Sequence, residues 1–425
     1  FTVNFGQDGT FNGNETPADT YTDANSIGKF NYAVPTNCLA ICTSNMAEPT
    51  IGPSSSTQAE DHHGTLTYTS DGNAVNIVSG GNDNNGTAVG GEINFSPDWV
   101  WIKRKDASNN HQIFDTNRGT NVLVPNENGA ESDYSSYFAF LSSSNGFRLP
   151  ASSANMNANG GTYVAWLWRA NGGTTTTNDA SATGIGSIDS VHQANTTAGF
   201  SIVTYTGDSS GNNGTASTVA HGLGAVPKWI WFIPRDAYDG CVYHEQVATD
   251  PATDKLILAA SSASDAQTGA SDDSGFFNDT EPTSTVFSIG TRKHSNSNGG
   301  MVAYCFAEVD GYSKFGSYHG NGGTDGTFVY TGFRPAWLMY KRSDTTGNWL
   351  IDDNVTQAFN PDSNYWVAET ADLQGDTTTN TAGHVFDMYS NGFKMRNTNS
   401  ARNASGGLYV YMAFADIPFK FANAR

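Results

Sequence analysis

The sequence predicts an all-β chain, with three tandem antiparallel β-sandwich repeats behind a short N-terminal strand segment. Three observations point there. The chain of 425 residues holds 46 glycines, with 12% aromatic and only 15% charged residues. That is the composition of strands joined by turns. Trp99 and Trp101, and again Trp229 and Trp231, alternate at period two, which sets side chains on one sheet face. Finally, three sequence markers recur in one order, three times, the sign of a repeat architecture.

The first marker runs Ser96-Pro97-Asp98-Trp99-Val100-Trp101-Ile102-Lys103-Arg104. It returns from Pro227 to Arg235 and from Pro335 to Arg342. The second, Ser144-Asn145-Gly146-Phe147-Arg148-Leu149, returns as Ser390-Asn391-Gly392-Phe393-Lys394-Met395 and more loosely around Val286-Phe287-Ser288. The third joins a Gly-Gly pair to an apolar run: Gly160-Gly161-Thr162-Tyr163-Val164, Gly299-Gly300-Met301-Val302 and Gly406-Gly407-Leu408-Tyr409-Val410. Asn-Gly and Gly-Gly between apolar runs supply the positive φ that hairpin turns require. Units of roughly 110 residues can each hold a core, so the reading is of beads in a row.

Taken in order, residues 1–63 form a segment of their own. Phe1, Val3 and Phe5 alternate with polar residues and read as a subunit-linking strand, since an unpaired apolar edge invites a partner. The sequence opens at Phe1 without an initiator Met or a signal peptide, which predicts a fragment or a matured product. Repeat one is placed at 64–171 and repeat two at 198–312. Between them 172–197, rich in Thr, Asn, Ser and Gly, reads as a linker. Repeat three takes 313–425.

Charge narrows the function. With 41 acidic against 21 basic side chains and a net charge of −20, the chain repels phosphate backbones, so no nucleic-acid partner is expected. No apolar run reaches the length of a membrane span. Cys38, Cys42, Cys241 and Cys305 are too few for a disulfide scaffold, and the last two sit in apolar strand patterns as small hydrophobes.

Several motifs suggest chemistry and are explained more simply. Gly207-Asp208-Ser209-Ser210-Gly211 matches a serine-hydrolase elbow, yet Asn-Asn-Gly turn chemistry follows where a helix is required. Glu60-Asp61-His62-His63 gathers four metal-type ligands, but neighbours on an extended chain face opposite ways; a solvated segment is expected. His244-Glu245 lacks the second His of a zinc protease. The loops Asn82–Gly86 and Gly323–Gly326 offer oxygens of the kind Ca²⁺ takes, without EF-hand spacing. The recurring Trp pairs read as core. Trp349, Tyr365 and Trp366, outside the markers, read as an exposed binding platform.

The repeats, with Phe328-Val329-Tyr330-Thr331-Gly332-Phe333-Arg334-Pro335-Ala336-Trp337 and the ending Tyr411-Met412-Ala413-Phe414-Ala415-Asp416-Ile417-Pro418-Phe419-Lys420, resemble modules of tailed-bacteriophage tail-fibre or SPRY-domain-containing virion proteins. Lys29 to Pro35 and Thr43 to Met46 resemble the end of a SPRY-like domain in such proteins. The resemblance implies concanavalin-like jelly-roll sandwiches and a non-enzymatic virion fibre at the tail or capsid surface. It also implies self-association, often trimeric, other virion proteins as partners, and a host glycan or envelope protein as receptor. The alternative is a subunit of an extracellular filament or surface layer assembled by strand addition. A third reading is a polysaccharide-degrading tailspike. No cofactor is expected beyond possible Ca²⁺.

Overall fold

The computed structural model describes residues 10, 16, 21–40, 45, 51, 57–83, 85–142, 144–247, 255–257, 266–267, 274–376 and 385–416. Phe1, Val3, Phe5 and Cys42 lie outside the described residues.

The chain is mostly antiparallel β-sheet, and one strand order occurs three times. In the first unit a four-stranded sheet runs His63–Thr69, Thr162–Trp168, Trp99–Arg104, Gln112–Asp115. The second unit repeats that order as Phe200–Tyr205, Met301–Ala307, Pro227–Pro234, Cys241–His244. The third repeats it as Ser313–His319, Leu408–Ala415, Pro335–Arg342, Trp349–Asp353. Each unit adds a smaller outer sheet, of which Gly146–Leu149, Val286–Ile289 and Phe328–Tyr330 are members. The three markers therefore occupy equivalent strands.

Registers make the equivalence residue by residue. Trp99 pairs with Asp115 and Trp168; Trp229 pairs with His244 and Phe306; Trp337 pairs with Asp353 and Phe414. Glycine is required at one of these positions in units one and three, while unit two carries Val286 there. A Cβ on Gly146 or Gly392 would run into the carbonyl oxygen of the opposite strand, Ile77 or Val329 respectively. A buried asparagine also recurs, just ahead of each Gly-Gly turn. Asn157, Asn296 and Asn403 each donate to two or more main-chain carbonyls and so clasp neighbouring loops.

The units are not beads in a row. Alternate residues of the central strands of units one and two enter two different cores, whereas in unit three Trp337, Leu338, Met339 and Tyr340 belong to one continuous cluster. Val100 and Ile102 pack with the outer sheet of unit one, as Ile230 and Phe232 do in unit two. Trp99 and Trp101 face the other way and join Trp166, Trp168, Trp229, Trp231, Tyr304, Trp337 and Phe414 in one core shared by all three units. The expectation of packed tryptophans holds, but the core they build lies between units. Both faces of these sheets are covered, which is why their strands read as unbroken apolar runs.

The expected linker 172–197 instead carries two strands of a sheet and a short helix, Ala180–Thr183. Thr176–Asn178 and Ser190–Asn195 extend the large sheet of unit two, the latter pairing with Phe200–Tyr205. Its Thr-rich composition suits strands as well as linkers. Among the described residues, no helix is long and apolar enough to cross a membrane.

Candidate functional site: a three-way seam and an exposed aromatic face

The seams between units close in a ring. In each, the end of the fourth strand of one unit meets the last strand of the next. Asp115 Oδ2 of unit one accepts from the Tyr304 hydroxyl of unit two at 2.7 Å. Asp353 Oδ2 of unit three accepts from Trp166 Nε1 of unit one at 3.1 Å. Between units two and three, Met412 stands where Trp166 and Tyr304 stand and has no proton to give. There His244 takes over: its Nδ1 accepts from the Gln246 amide, so Nε2–H donates to the Tyr411 carbonyl at 3.2 Å. The three contacts join corresponding strands in cyclic order.

Charge reinforces one seam. Buried Arg118 donates to Asp115 at 2.7 Å and to Glu131 at 3.2 Å, and Arg235 of unit two reaches the same Glu131 at 2.6 Å. At the seam of units three and one, His111 accepts from Trp101 Nε1 on Nδ1 and donates from Nε2 to the Val367 carbonyl.

Glu60-Asp61-His62-His63 is not a solvated segment. His62 and His63 are 5% and 3% exposed, because the chain enters its first strand through the shared core. His63 stacks on Phe414 at 5.1 Å. Glu60 and His63 border a cavity of about 160 Å³ with Glu92 and Asp416. Burial, Asp61, Glu92 and Asp416 push the Glu60 carboxyl above its ordinary range. Among the described residues no three His, Cys, Asp or Glu side chains stand together as a metal site. Asp83 in the first candidate calcium loop accepts from the amides of Asn85 and Thr87, a turn contact. Ser209 is buried and donates to the Thr291 carbonyl at 2.9 Å, and His244 is spent on the seam. Cys241 and Cys305 are buried and Cys38 is exposed; none of the three is in a disulfide.

Burial lowers the pKa of His62 to about 4, His63 to about 3, and His221 and His244 to about 4; His111 and His192 also fall. The unfolded chain therefore takes up protons first. Stability is fully present above pH 6.5 and drains as pH falls toward 4, by about 1.4 kcal/mol per pH unit for each fully buried histidine. Asp352, Asp362 and Glu369 act oppositely, since burial raises them, as it does Glu60, Asp98 and Asp353. The histidine term is therefore read by difference: His63→Phe should remove about 1.4 kcal/mol per pH unit of the acid-dependent loss between pH 6.5 and 5 in urea melts. A pH dependence equal to that of the wild-type chain would mean that the His63 ring is hydrated.

The expected platform of Trp349, Tyr365 and Trp366 is corrected. Trp349 is fully buried and packs 5.4 Å from Trp229; Trp366 is 1% exposed and packs 5.7 Å from Trp166. Both strands extend the inner sheet of unit three into the seams, where large rings fill the gaps. Tyr365 is half-buried beside the Arg402 guanidinium.

A different aromatic group faces solvent, on the outer sheet of unit three. That sheet orders Phe328–Tyr330, Gly392–Met395, Phe386–Tyr389. One row across it is Phe328, Lys394, Asp387; the next is Tyr330, Gly392, Tyr389. Phe328 is 44% exposed, Tyr330 64% and Tyr389 36%. Phe328 and Tyr389 lie 6.2 Å apart, and the missing side chain of Gly392 makes room for the Phe328 ring beside it. Exposed Phe359 follows along the same edge, where Asn360 bonds both main-chain groups of Met388. Asp387 Oδ2 accepts from the Tyr389 hydroxyl and from Arg396, each at 3.0 Å, and Lys394 pairs with Asp325 at 2.5 Å.

The sister units show that the fold does not require these rings. Where unit three has Phe328 and Tyr330, unit one has Asn76 and Val78, and unit two has Thr218 and Ala220. Aligning the second marker's partner strand across repeats is the signal that would have found the site. Exposed rings at positions the architecture leaves free make this face the candidate site.

The fold defines a class: an all-β protein of antiparallel sheets in which one strand order recurs around a shared core. Residues 59–418 match the family described as a domain of unknown function (DUF7483), and the chain belongs to that family. The match spans all three units, in keeping with their common core. No curated protein and no solved structure matches the chain.

Proposed function

We propose that this chain is a structural, non-enzymatic protein of a bacteriophage virion, a tail or surface fibre that contacts host glycans through the outer sheet of unit three. The finer fold reading belongs to the same proposal: each unit is a concanavalin-like jelly-roll sandwich of the SPRY type. The observation that carries the contact role is the cluster of exposed Phe328, Tyr330 and Tyr389, the first two at positions where the other units have Asn76 and Val78 or Thr218 and Ala220. The shared core supports the structural role, because it turns three units into one rigid mount for that face. The repeat markers support the virion assignment by their resemblance to tail-fibre modules.

Immunogold labelling of native particles with an antibody to residues 313–416 tests the assignment. Label at tails or capsid surfaces is expected. Label along free filaments without particles would sink it.

A further inference from the structure

Charge on the unit-three face narrows its ligand. Two cations and two carboxylates stand around the rings, and they are spent on each other: Lys394 on Asp325, Arg396 on Asp387. Among the described residues, both cations beside the rings already have a carboxylate partner, and the chain as a whole carries a net charge of −20. The field around the face therefore repels sialic or uronic acids. The rings offer apolar faces to the C–H side of a pyranose. Around them Asp387, with a Tyr389 hydroxyl already oriented on it, and the remaining Lys394 N–H groups offer both acceptors and donors to hydroxyls.

We infer that the face formed by Phe328, Tyr330, Tyr389, Asp387 and Lys394 binds neutral hexose glycans and discriminates against acidic ones. This rests on the glycan-contact reading above and adds the ligand class to it. Binding by stacking and paired charges should depend weakly on salt, since no net ion pair forms with the ligand.

The sister units supply a variant that keeps the fold. Phe328→Asn with Tyr330→Val installs the residues that unit one carries at those positions. The test titrates the full chain and this double variant with hexasaccharides of glucose, mannose and galactose, and with sialylated and uronic-acid hexasaccharides of the same length. Thermal melting of both proteins reports folding. The expected result is binding of at least one neutral hexasaccharide, weakened about tenfold or more in the variant, as loss of two ring contacts implies. Its affinity should change less than about twofold between 50 and 200 mM salt. Binding of the acidic set alone, lost in the variant, would overturn the ligand class while leaving the glycan face standing. Binding that the variant leaves intact would overturn the location. Binding of no hexasaccharide would overturn both this inference and the contact reading.

Discussion

Replacing Arg402 with Met is expected to destabilise the chain by roughly 3–5 kcal/mol, the usual cost of removing one partner from a buried ion pair. Arg402 and Asp352 are both fully buried, joined at 3.0 Å inside unit three. The guanidinium carbon lies 5.4 Å from each of the Tyr340, Tyr365 and Phe386 ring centres, so the charge is sheathed in aromatic faces. The equivalent positions show what the pair replaces. Asp352 sits across from Leu338 as Phe114 sits across from Val100, and Arg402 precedes its clasping Asn403 as Met156 precedes Asn157. Unit one thus fills with Phe and Met the space that unit three fills with Asp and Arg. Arg402→Met with Asp352→Phe should recover most of the loss, because it restores the apolar solution already present in the same chain. Asp362 need not be changed. Burial and the Asp352 carboxylate raise its pKa, so it tolerates the loss of the cation as a neutral acid. Urea unfolding of the two variants checks this; a single-variant loss under about 1 kcal/mol would show that water already solvates the pair.

The second large effect concerns cooperativity. Trp337→Ala should cost roughly 3–5 kcal/mol by leaving a cavity in the core. The ring of Trp337 packs 5.2 Å from Trp168 and 6.4 Å from Trp166, both in unit one, as well as 6.0 Å from Phe414 in its own unit. Native-state hydrogen exchange should therefore show lowered protection in strands of units one and two, not only in unit three. The wild-type chain should unfold in one transition. Loss confined to residues 313–416, or three separable transitions, would mean that the units are stable alone and the shared core is weak.

Much of the fold was legible because it is local. Period-two tryptophans, Asn-Gly turns and a threefold recurrence of markers gave strands, turns and three equivalent units from residues close together in sequence. Even the two-sided burial was written in the unbroken runs Trp99-Val100-Trp101-Ile102 and Trp229-Ile230-Trp231-Phe232-Ile233, although a single sandwich explains such runs less well than a covered sheet. The linker reading of 172–197 failed because Thr, Asn and Ser serve loops and edge strands alike, and only pairing with Phe200–Tyr205 separates the two.

The site was less legible. Trp349 and Trp366 looked free because they lie outside the markers, yet freedom from a repeat is not exposure. They are buried by strands from other units that no spacing in the sequence reveals. The residues that do reach solvent, Phe328 and Tyr330, look like ordinary strand alternation until the three units are aligned. By itself, then, the sequence determined the all-β class, since strands and turns follow from short-range periodicity and turn chemistry. Only the tertiary structure decided which face of each sheet meets the other units and which aromatic rings stay in water. Burial is a sum over contacts between residues far apart in sequence, such as Trp166 with Asp353, 187 positions away, and alternation along a strand is blind to what covers either side.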